Sequence, residues 1–437
     1  MLDYDKLTET VCLTAVTKHK GYVTAVTGLI IEARGPRAKM GEMVIIDTGM
    51  ELIPAEVVGF DQNKTKLMVL GNQKGISPGN VILATGHTMR VKVGPNIVGR
   101  VLDGMGEPMD EEGPLEWEVI YPLEEKPPHP LRRQRVLEAL PLGVRVMDAL
   151  LTVGAGQRMG IFSGSGVGKS TLLGMIARNS QADVNVVGLV GERGREVREF
   201  IENDLGAEGL KRSVVVVATS DQPALVRKKA AFLATAIAEY FRDLGKNVIL
   251  MMDSVTRFAM AQREVGLATG EPPATKGYTP SVFAELPKLL ERSGTSEKGS
   301  VTGLYTVLVD GDDVNEPISD AVRGILDGHV ILSRQLASLG HYPAVDVLGS
   351  ISRVMINIVQ ENHNQAASDV KALLAVYQEA KDLIDVGAYQ MGSNPRIDLA
   401  IQYWNEINAY LTQNIHDVWN YEDTVSELLR IHERISV

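Results

Sequence analysis

Eight consecutive residues, Ser163-Gly164-Ser165-Gly166-Val167-Gly168-Lys169-Ser170, combine three glycines with a lysine and a hydroxyl. They follow the apolar run Met159–Phe162 and open a helical stretch that begins Thr171-Leu172-Leu173. In this strand–loop–helix order a glycine-rich loop curls its backbone N–H groups inward onto phosphate oxygens. The start of the following helix adds a field that favours an anion. The pattern places Lys169 against β- and γ-phosphates and gives the Ser170 hydroxyl to Mg²⁺. One position departs from G-x-x-x-x-G-K-[ST]: its first residue is Ser163, small but not glycine.

A phosphate-bound Mg²⁺ needs a carboxylate to hold its water shell, and the apolar run Asn247–Met252 ends in Asp253. Hydrolysis also needs a group that orients and polarises water. The candidate is Glu192, in Gly191-Glu192-Arg193-Gly194-Arg195-Glu196 directly after the run Val184–Val190. Ligands of open α/β sheets bind at the carboxyl ends of the strands, so Glu192, Lys169 and Asp253 are expected to converge there. Glu196 and Glu199 fall on a predicted helix and read as its solvated face. The eight histidines are scattered without His-x₃-His or Cys/His spacing, so a metal held by protein ligands alone is not expected. His341 reads as a packing or loop residue.

The elements that must position these groups follow from the apolar pattern. The runs Met159–Phe162, Val184–Val190, Val214–Thr219, Val248–Met252 and Thr302–Val309 show little alternation. That is expected of parallel strands covered on both faces, with the longer amphipathic stretches between them as helices. Residues 96–357 are therefore read as an α/β P-loop domain with a mostly parallel sheet, entered through the proline-rich connector 100–135. Before it, 1–95 show six short β segments punctuated by glycine: Tyr22–Glu32, Glu42–Asp47, Ile53–Phe60, Lys64–Leu70, Asn80–Thr85 and Thr88–Val93. A small closed barrel is preferred to an open sheet, whose edges would need protection. Leu2, Leu7 and Val11 would line a short preceding helix. Residues 358–437 read as a helical domain, with Ser368 as the cap of a segment carrying Val370, Leu373, Leu374, Tyr377, Leu383 and Ile384, then helices at Ile397–Leu411 and Tyr421–Ile435.

The chain has 437 residues, 44 Lys and Arg against 55 Asp and Glu, and a net charge of −11, which argues against a general nucleic-acid or anionic-membrane binder. The single cysteine, Cys12, excludes an internal disulfide framework. No apolar run reaches the roughly 18 residues of a membrane span, and the acidic start MLDYDKLTET lacks a secretory layout. The expectation is a soluble cytosolic protein of several domains.

The P-loop, the GER turn, MMDSVTRFAMAQREV and PAVDVLGSISR together resemble the rotary ATP synthase α/β superfamily. GERGREVREFIENDLG, GEPPATKGYTPSVFAELPKLLERSG, DGDDVNEPISDAVRGILDGHVILSR and DLIDVGAYQMGSNPRIDLAI are similar to its flagellum-specific type III protein-export branch. The resemblance covers essentially the whole chain and implies an ATPase energising export of flagellar proteins. It implies nucleotide contacts from Gly164, Ser165, Gly166, Val167, Gly168, Lys169, Ser170 and Thr171, with Mg²⁺ on Ser170 and on Asp253 through water. Glu192 becomes the catalytic carboxylate, and Arg193 and Arg257 lie near the γ-phosphate. Tyr342 packs on the adenine face, and Arg353 reaches into a neighbouring subunit's site. Because the chain carries both Glu192 and Arg353, a homohexamer would be catalytically complete. Implied partners are a regulator at the N-terminal segment, a central stalk, export chaperones and substrates, and the export gate at the cytoplasmic face of the membrane.

Four other readings stay open. A virulence secretion ATPase needs the same catalytic parts. A rotary β-subunit would carry an acidic DELS-type loop where this chain has Gly387-Ala388-Tyr389-Gln390-Met391-Gly392. An RNA translocase would need a basic aromatic platform, but Tyr4, Tyr22 and Phe60 are the only aromatics in 1–95. A nucleotide-binding scaffold has no use for Glu192.

Overall fold

A computed structural model describes residues 19–309 and 316–436. Cys12, the expected helix on Leu2, Leu7 and Val11, and part of the DGDDVNEP stretch lie outside the described residues.

Six strands, β1 (Lys20–Thr27), β2 (Ile30–Arg34), β3 (Glu42–Asp47), β4 (Leu52–Asp61), β5 (Lys64–Val69) and β6 (Val81–Thr88), close into a barrel in the order β1-β2-β5-β4-β3-β6. Every neighbouring pair is antiparallel. Alternate side chains, among them Ile31, Ala33, Val44, Ile46, Ala55, Val57 and Leu67, fill its interior. The barrel closes as expected, but from a different set of segments. Tyr22–Glu32 is two strands, because Gly28 at φ +57 turns the chain between β1 and β2. The end of Thr88–Val93 leaves the barrel altogether: β7 (Arg90–Val93) pairs with β9 (Val119–Pro122) of the connector.

The central sheet uses β8 (Val101–Asp103), β10 (Arg158–Ser163), β11 (Val184–Val190), β12 (Ser213–Ala218), β13 (Asn247–Asp253), β14 (Gly294–Thr295), β15 (Ser300–Leu308), β16 (Gly328–Leu332) and β17 (Val345–Ser352). Its order is β17-β16-β10-β15-β13-β11-β12-β8, with β14 paired to β15. Only β14 and β17 run antiparallel to their neighbours. The sheet is covered on both faces. Val186, Val214, Val216, Leu250 and Met252 join the core built by the helix Ala224–Asp243. Val187, Val215, Val217, Ile249 and Met251 point the other way, into the core shared with the helix Lys169–Asn179. β16 and β17 are absent from the apolar runs for a physical reason. Near the sheet edge their burial alternates, so neither reads as a continuous apolar stretch.

Three long helices, Glu361–Asp385, Pro395–Leu411 and Tyr421–Ile435, form the C-terminal part. Ser368 is not a cap: the first of these helices starts at Glu361 after Gln360. Its first buried turns present His363, Ala366 and Ala367, whose small or polar side chains hide the apolar stripe. Tyr377 and Trp404 stack across the helix pair, centroids 3.8 Å apart and planes 6° apart.

Two buried ion pairs bind the parts together. Lys229 of the helix Ala224–Asp243 meets Glu56 of β4 at 2.6 Å and Glu124 of the connector at 2.8 Å, tying barrel and connector to the α/β body. Arg292 forks onto Glu239 and donates to the Leu123 carbonyl at 2.8 Å. Among the described residues no helix is long and apolar enough to cross a membrane.

Candidate functional site

β10 runs to Ser163, which is paired in parallel register with Leu308 of β15 and Leu332 of β16. Ser163 is therefore still part of the strand, and extended backbone has no need of glycine. The next turns differ. Gly166 and Gly168 sit at φ +78 and +91, in the left-handed region that favours glycine. The helix begins immediately afterwards at Lys169.

The carboxyl ends of β10, β11 and β13 bring three charged side chains together. The Lys169 ammonium donates to Asp253 Oδ1 and stands 3.8 Å from Glu192 Oε1. Asp253 is almost fully buried and also accepts from the Thr306 hydroxyl at 2.8 Å. Glu192 is held by the turn after β11, where Gly191 at φ +74 packs so tightly that an added Cβ would lie 2.9 Å from Arg257 Cβ. Arg257 itself stands in the first turn of the helix Val255–Thr269, whose N-cap Ser254 accepts from the Arg257 N–H at 3.3 Å.

These groups are incompletely satisfied. Glu192 Oε1 and Arg257 Nε are buried without a hydrogen-bond partner. Burial and the nearby Asp253 charge push the Glu192 carboxyl from 4.5 up to about 7, against the opposing pull of Lys169 and Arg257. A hydrogen bond from Glu192 holds Glu196 below its ordinary value. Unpartnered buried polar atoms and a carboxyl poised near neutrality are typical of functional sites.

The cleft has a volume of about 580 Å³, and Gly164, Ser165, Gly166, Gly168, Lys169, Ser170 and Thr171 form one wall. Glu192, Arg193, Asp253 and Arg257 line it as well. The Val167 side chain turns away into the core, so only its backbone faces the loop's concavity. Arg193 stands at the mouth, largely exposed, 3.6 Å from Glu196. Tyr342 flanks the loop from another direction: a Cβ built on Gly168 would lie 3.5 Å from Tyr342 Cε1. Arg353 does not join this cluster within one chain. It follows β17, with its guanidinium 3.4 Å from the Leu326 carbonyl.

Three further residues bear on the cleft, one from behind it and two from its border. Thr306 orients Asp253, and its signal in the sequence was a hydroxyl inside an apolar strand. Glu196 and Glu199 lie on an exposed helix face, as their solvated reading expects, and that face borders the open cleft. The oxygen set here is one hydroxyl, Ser170, and one carboxylate, Asp253. Among the described residues no group of three or more His, Cys, Asp or Glu gathers to hold a metal. Such a sparse set suits Mg²⁺, which keeps several waters and shares its coordination with phosphate.

Models of known families match three stretches. The β-barrel domain of the ATP synthase alpha/beta family matches residues 23–86, and the nucleotide-binding domain of the same family matches residues 143–352. The C-terminal domain of the T3SS EscN ATPase matches residues 359–430. The chain is 56% identical to the flagellum-specific ATP synthase of Bacillus subtilis, over 94% of each. It is 50% identical to the type 3 secretion system ATPase of Xanthomonas euvesicatoria, over 95% of each. The solved structure of assembled EscN from enteropathogenic E. coli superimposes with a TM-score of 0.89 at 47% identity, covering 94% of this chain and all of that one.

Proposed function

The chain belongs to the ATP synthase alpha/beta family, and we propose that it hydrolyses ATP to energise type III protein export, with flagellar proteins as cargo. The observation that carries this reading is Glu192, buried with one oxygen unpartnered and facing Lys169 across the glycine loop.

The chemistry follows from the residues in place. Backbone N–H groups of residues 164–171 and the Lys169 ammonium bind the phosphates. The Ser170 hydroxyl, and Asp253 through water, would hold Mg²⁺, which would supply charge neutralisation to the phosphates. Glu192 accepts a hydrogen bond from the attacking water and polarises it toward the γ-phosphate. A carboxylate that titrates near 7 suits this task at neutral pH. Arg257 and Arg193 neutralise charge on the transferring group from the side of the GER turn. Tyr342 stacks on the base. Arg353, remote from its own chain's cleft, completes the site of a neighbouring copy, an arrangement worth roughly 10³–10⁵ in rate in enzymes that use one.

The reading includes a homohexamer and a central stalk, supported by the solved structures of assembled EscN and of EscN with its stalk EscO. It places the protein in the cytoplasm at the membrane base of the export gate, with a regulator at the N-terminal segment and export chaperones and substrates at the helical part. The domain limits that go with it are 1–95, 96–357 and 358–437. The secretion-system relative at 50% identity favours a second cargo, virulence proteins, for the same chemistry. Deleting the gene and scoring motility against effector secretion separates the two.

The test of the catalytic reading is Glu192→Gln. Fluorescent-nucleotide titration is expected to give ATP affinity within a few-fold of wild type, while steady-state phosphate release nearly vanishes. Normal turnover in the variant would remove Glu192 from the mechanism.

A further inference from the structure

The base end of the cleft is built from a loop that the helical part of the chain holds in place. Tyr342 lies beside Gly168, yet it is 43% exposed, so packing by its own ring does not fix it. Its carbonyl accepts from the Gln413 backbone N–H at 2.9 Å. Gln413, just after the helix Pro395–Leu411, is only 3% exposed, and its amide is fully used. Its Oε1 accepts from the Arg145 N–H at 2.8 Å, and its Nε2 donates to the Gly143 carbonyl at 3.0 Å and to the Asp417 carbonyl at 3.1 Å. Gly143 in turn packs against Asn179, the last residue of the helix that starts at Lys169; a Cβ there would fall 2.4 Å from Asn179 Cβ. The buried residue Gln413 thus joins the segment before β10, the loop after the helix Pro395–Leu411 and, through its backbone N–H, the Tyr342 carbonyl.

A second, weaker tie runs parallel. The His341 ring meets Asn408 Oδ1 at 3.1 Å. The Arg145 guanidinium donates to the Thr412 carbonyl and stands 4.2 Å over the Trp419 ring, which fixes the segment that carries Gln413. Side-chain amides with every donor and acceptor satisfied in a buried site specify a single geometry.

We infer that Gln413 is a positioning residue for the base end of the nucleotide site, holding Tyr342 at the stacking distance through its main chain. The inference rests on the proposal that Tyr342 stacks on the base. Gln413 touches no nucleotide in this arrangement; it acts only on where the Tyr342 ring stands. The phosphate end depends on Gly166, Gly168 and Lys169, which this amide does not contact.

A ligand with a base and one without therefore report differently. The experiment measures equilibrium binding of ATP and of inorganic tripolyphosphate to the full chain, for wild type, Tyr342→Ala, Gln413→Met and the double variant. Methionine keeps the volume and removes the side-chain hydrogen bonds that fix residue 413, while its backbone N–H to the Tyr342 carbonyl stays. Gln413→Met is expected to weaken ATP about tenfold, the scale of one base–aromatic stack, and to leave tripolyphosphate within twofold. The double variant should lose no more than Tyr342→Ala alone. Equal weakening of both ligands, or ATP weakened by Tyr342→Ala but not by Gln413→Met, would overturn the positioning role. Unchanged ATP affinity in Tyr342→Ala would remove the base-stacking reading itself, and the inference with it. If Gln413→Met does not fold, Asn408→Ala at a half-buried position reads the parallel tie. A selective loss of ATP affinity of about threefold supports the inference, and no selective loss overturns it.

Discussion

Glu192→Gln should make the protein more stable while it stops turnover. In the folded chain the Glu192 carboxyl holds its proton up to about 7 instead of 4.5, because burial and the Asp253 charge disfavour its ionised form. The folded state then binds more protons than the unfolded one between those two values, so stability falls as pH rises through this window. At roughly 1.4 kcal/mol per tenfold in proton affinity, the cost above pH 7 is at most about 3 kcal/mol, because Glu196, bonded to the same carboxyl, is shifted the opposite way. Glutamine has nearly the same shape and pays no such cost. The variant and wild type should therefore coincide below pH 4.5, where both states are protonated, and separate as pH rises. By pH 8 the thermal transition of the α/β body should lie several degrees higher in the variant, at roughly 2–4 °C per kcal/mol for a unit of this size. Differential scanning calorimetry of the nucleotide-free proteins at pH 4.5, 6 and 8 reads this directly. A variant as stable as wild type at pH 8, or less stable, would mean that Lys169 and Arg257 already satisfy the carboxylate. The picture of a base kept reactive at the expense of stability would then be wrong.

Other perturbations test the frame around the site. Lys229→Met leaves Glu56 buried without its counter-charge, which should cost roughly 3–5 kcal/mol in urea unfolding at pH 7.5. Since burial already holds the Glu56 carboxyl above its ordinary value, this deficit should shrink as pH falls and Glu56 takes up a proton; a deficit that does not depend on pH would refute it. Gly191→Ala places a Cβ at φ +74 and 2.9 Å from Arg257 Cβ. It should cost roughly 1–3 kcal/mol and slow phosphate release by about ten- to a hundredfold, through displacement of Glu192 and Arg257. Unchanged kinetics would show that this turn does not set the catalytic geometry.

The convergence of these groups was legible because each part is a local pattern at a strand end: the glycine loop after β10, Glu192 after β11, Asp253 closing β13. What escaped was whatever depends on pairing or docking. Thr306 reaches Asp253 only because β15 and β13 run parallel in the register that places Met252 opposite Tyr305. That the exposed face carrying Glu196 borders the cleft was not legible, because helical spacing alone does not say where a cleft will lie, although Glu196 stands one turn from Glu192. Gln413 and Tyr342 are 71 residues apart, and no periodicity links them. In the barrel, glycine punctuation located the strands but not the point where the chain leaves it. β7 looks like another barrel strand until its partner β9, across the connector, is known. Ser368 misled as a cap because the alanine turns before it carry the buried face without large apolar residues.

The central claim is that the ATPase site is completed by Arg353 of a neighbouring copy. It is tested most directly by phosphate release per subunit across a wide range of protein concentration, for wild type and Arg353→Ala. The account predicts a specific rate that climbs steeply with concentration in wild type and stays low throughout in the variant. A specific rate independent of concentration and unaffected by loss of Arg353 would mean that each chain hydrolyses ATP alone, contradicting the account.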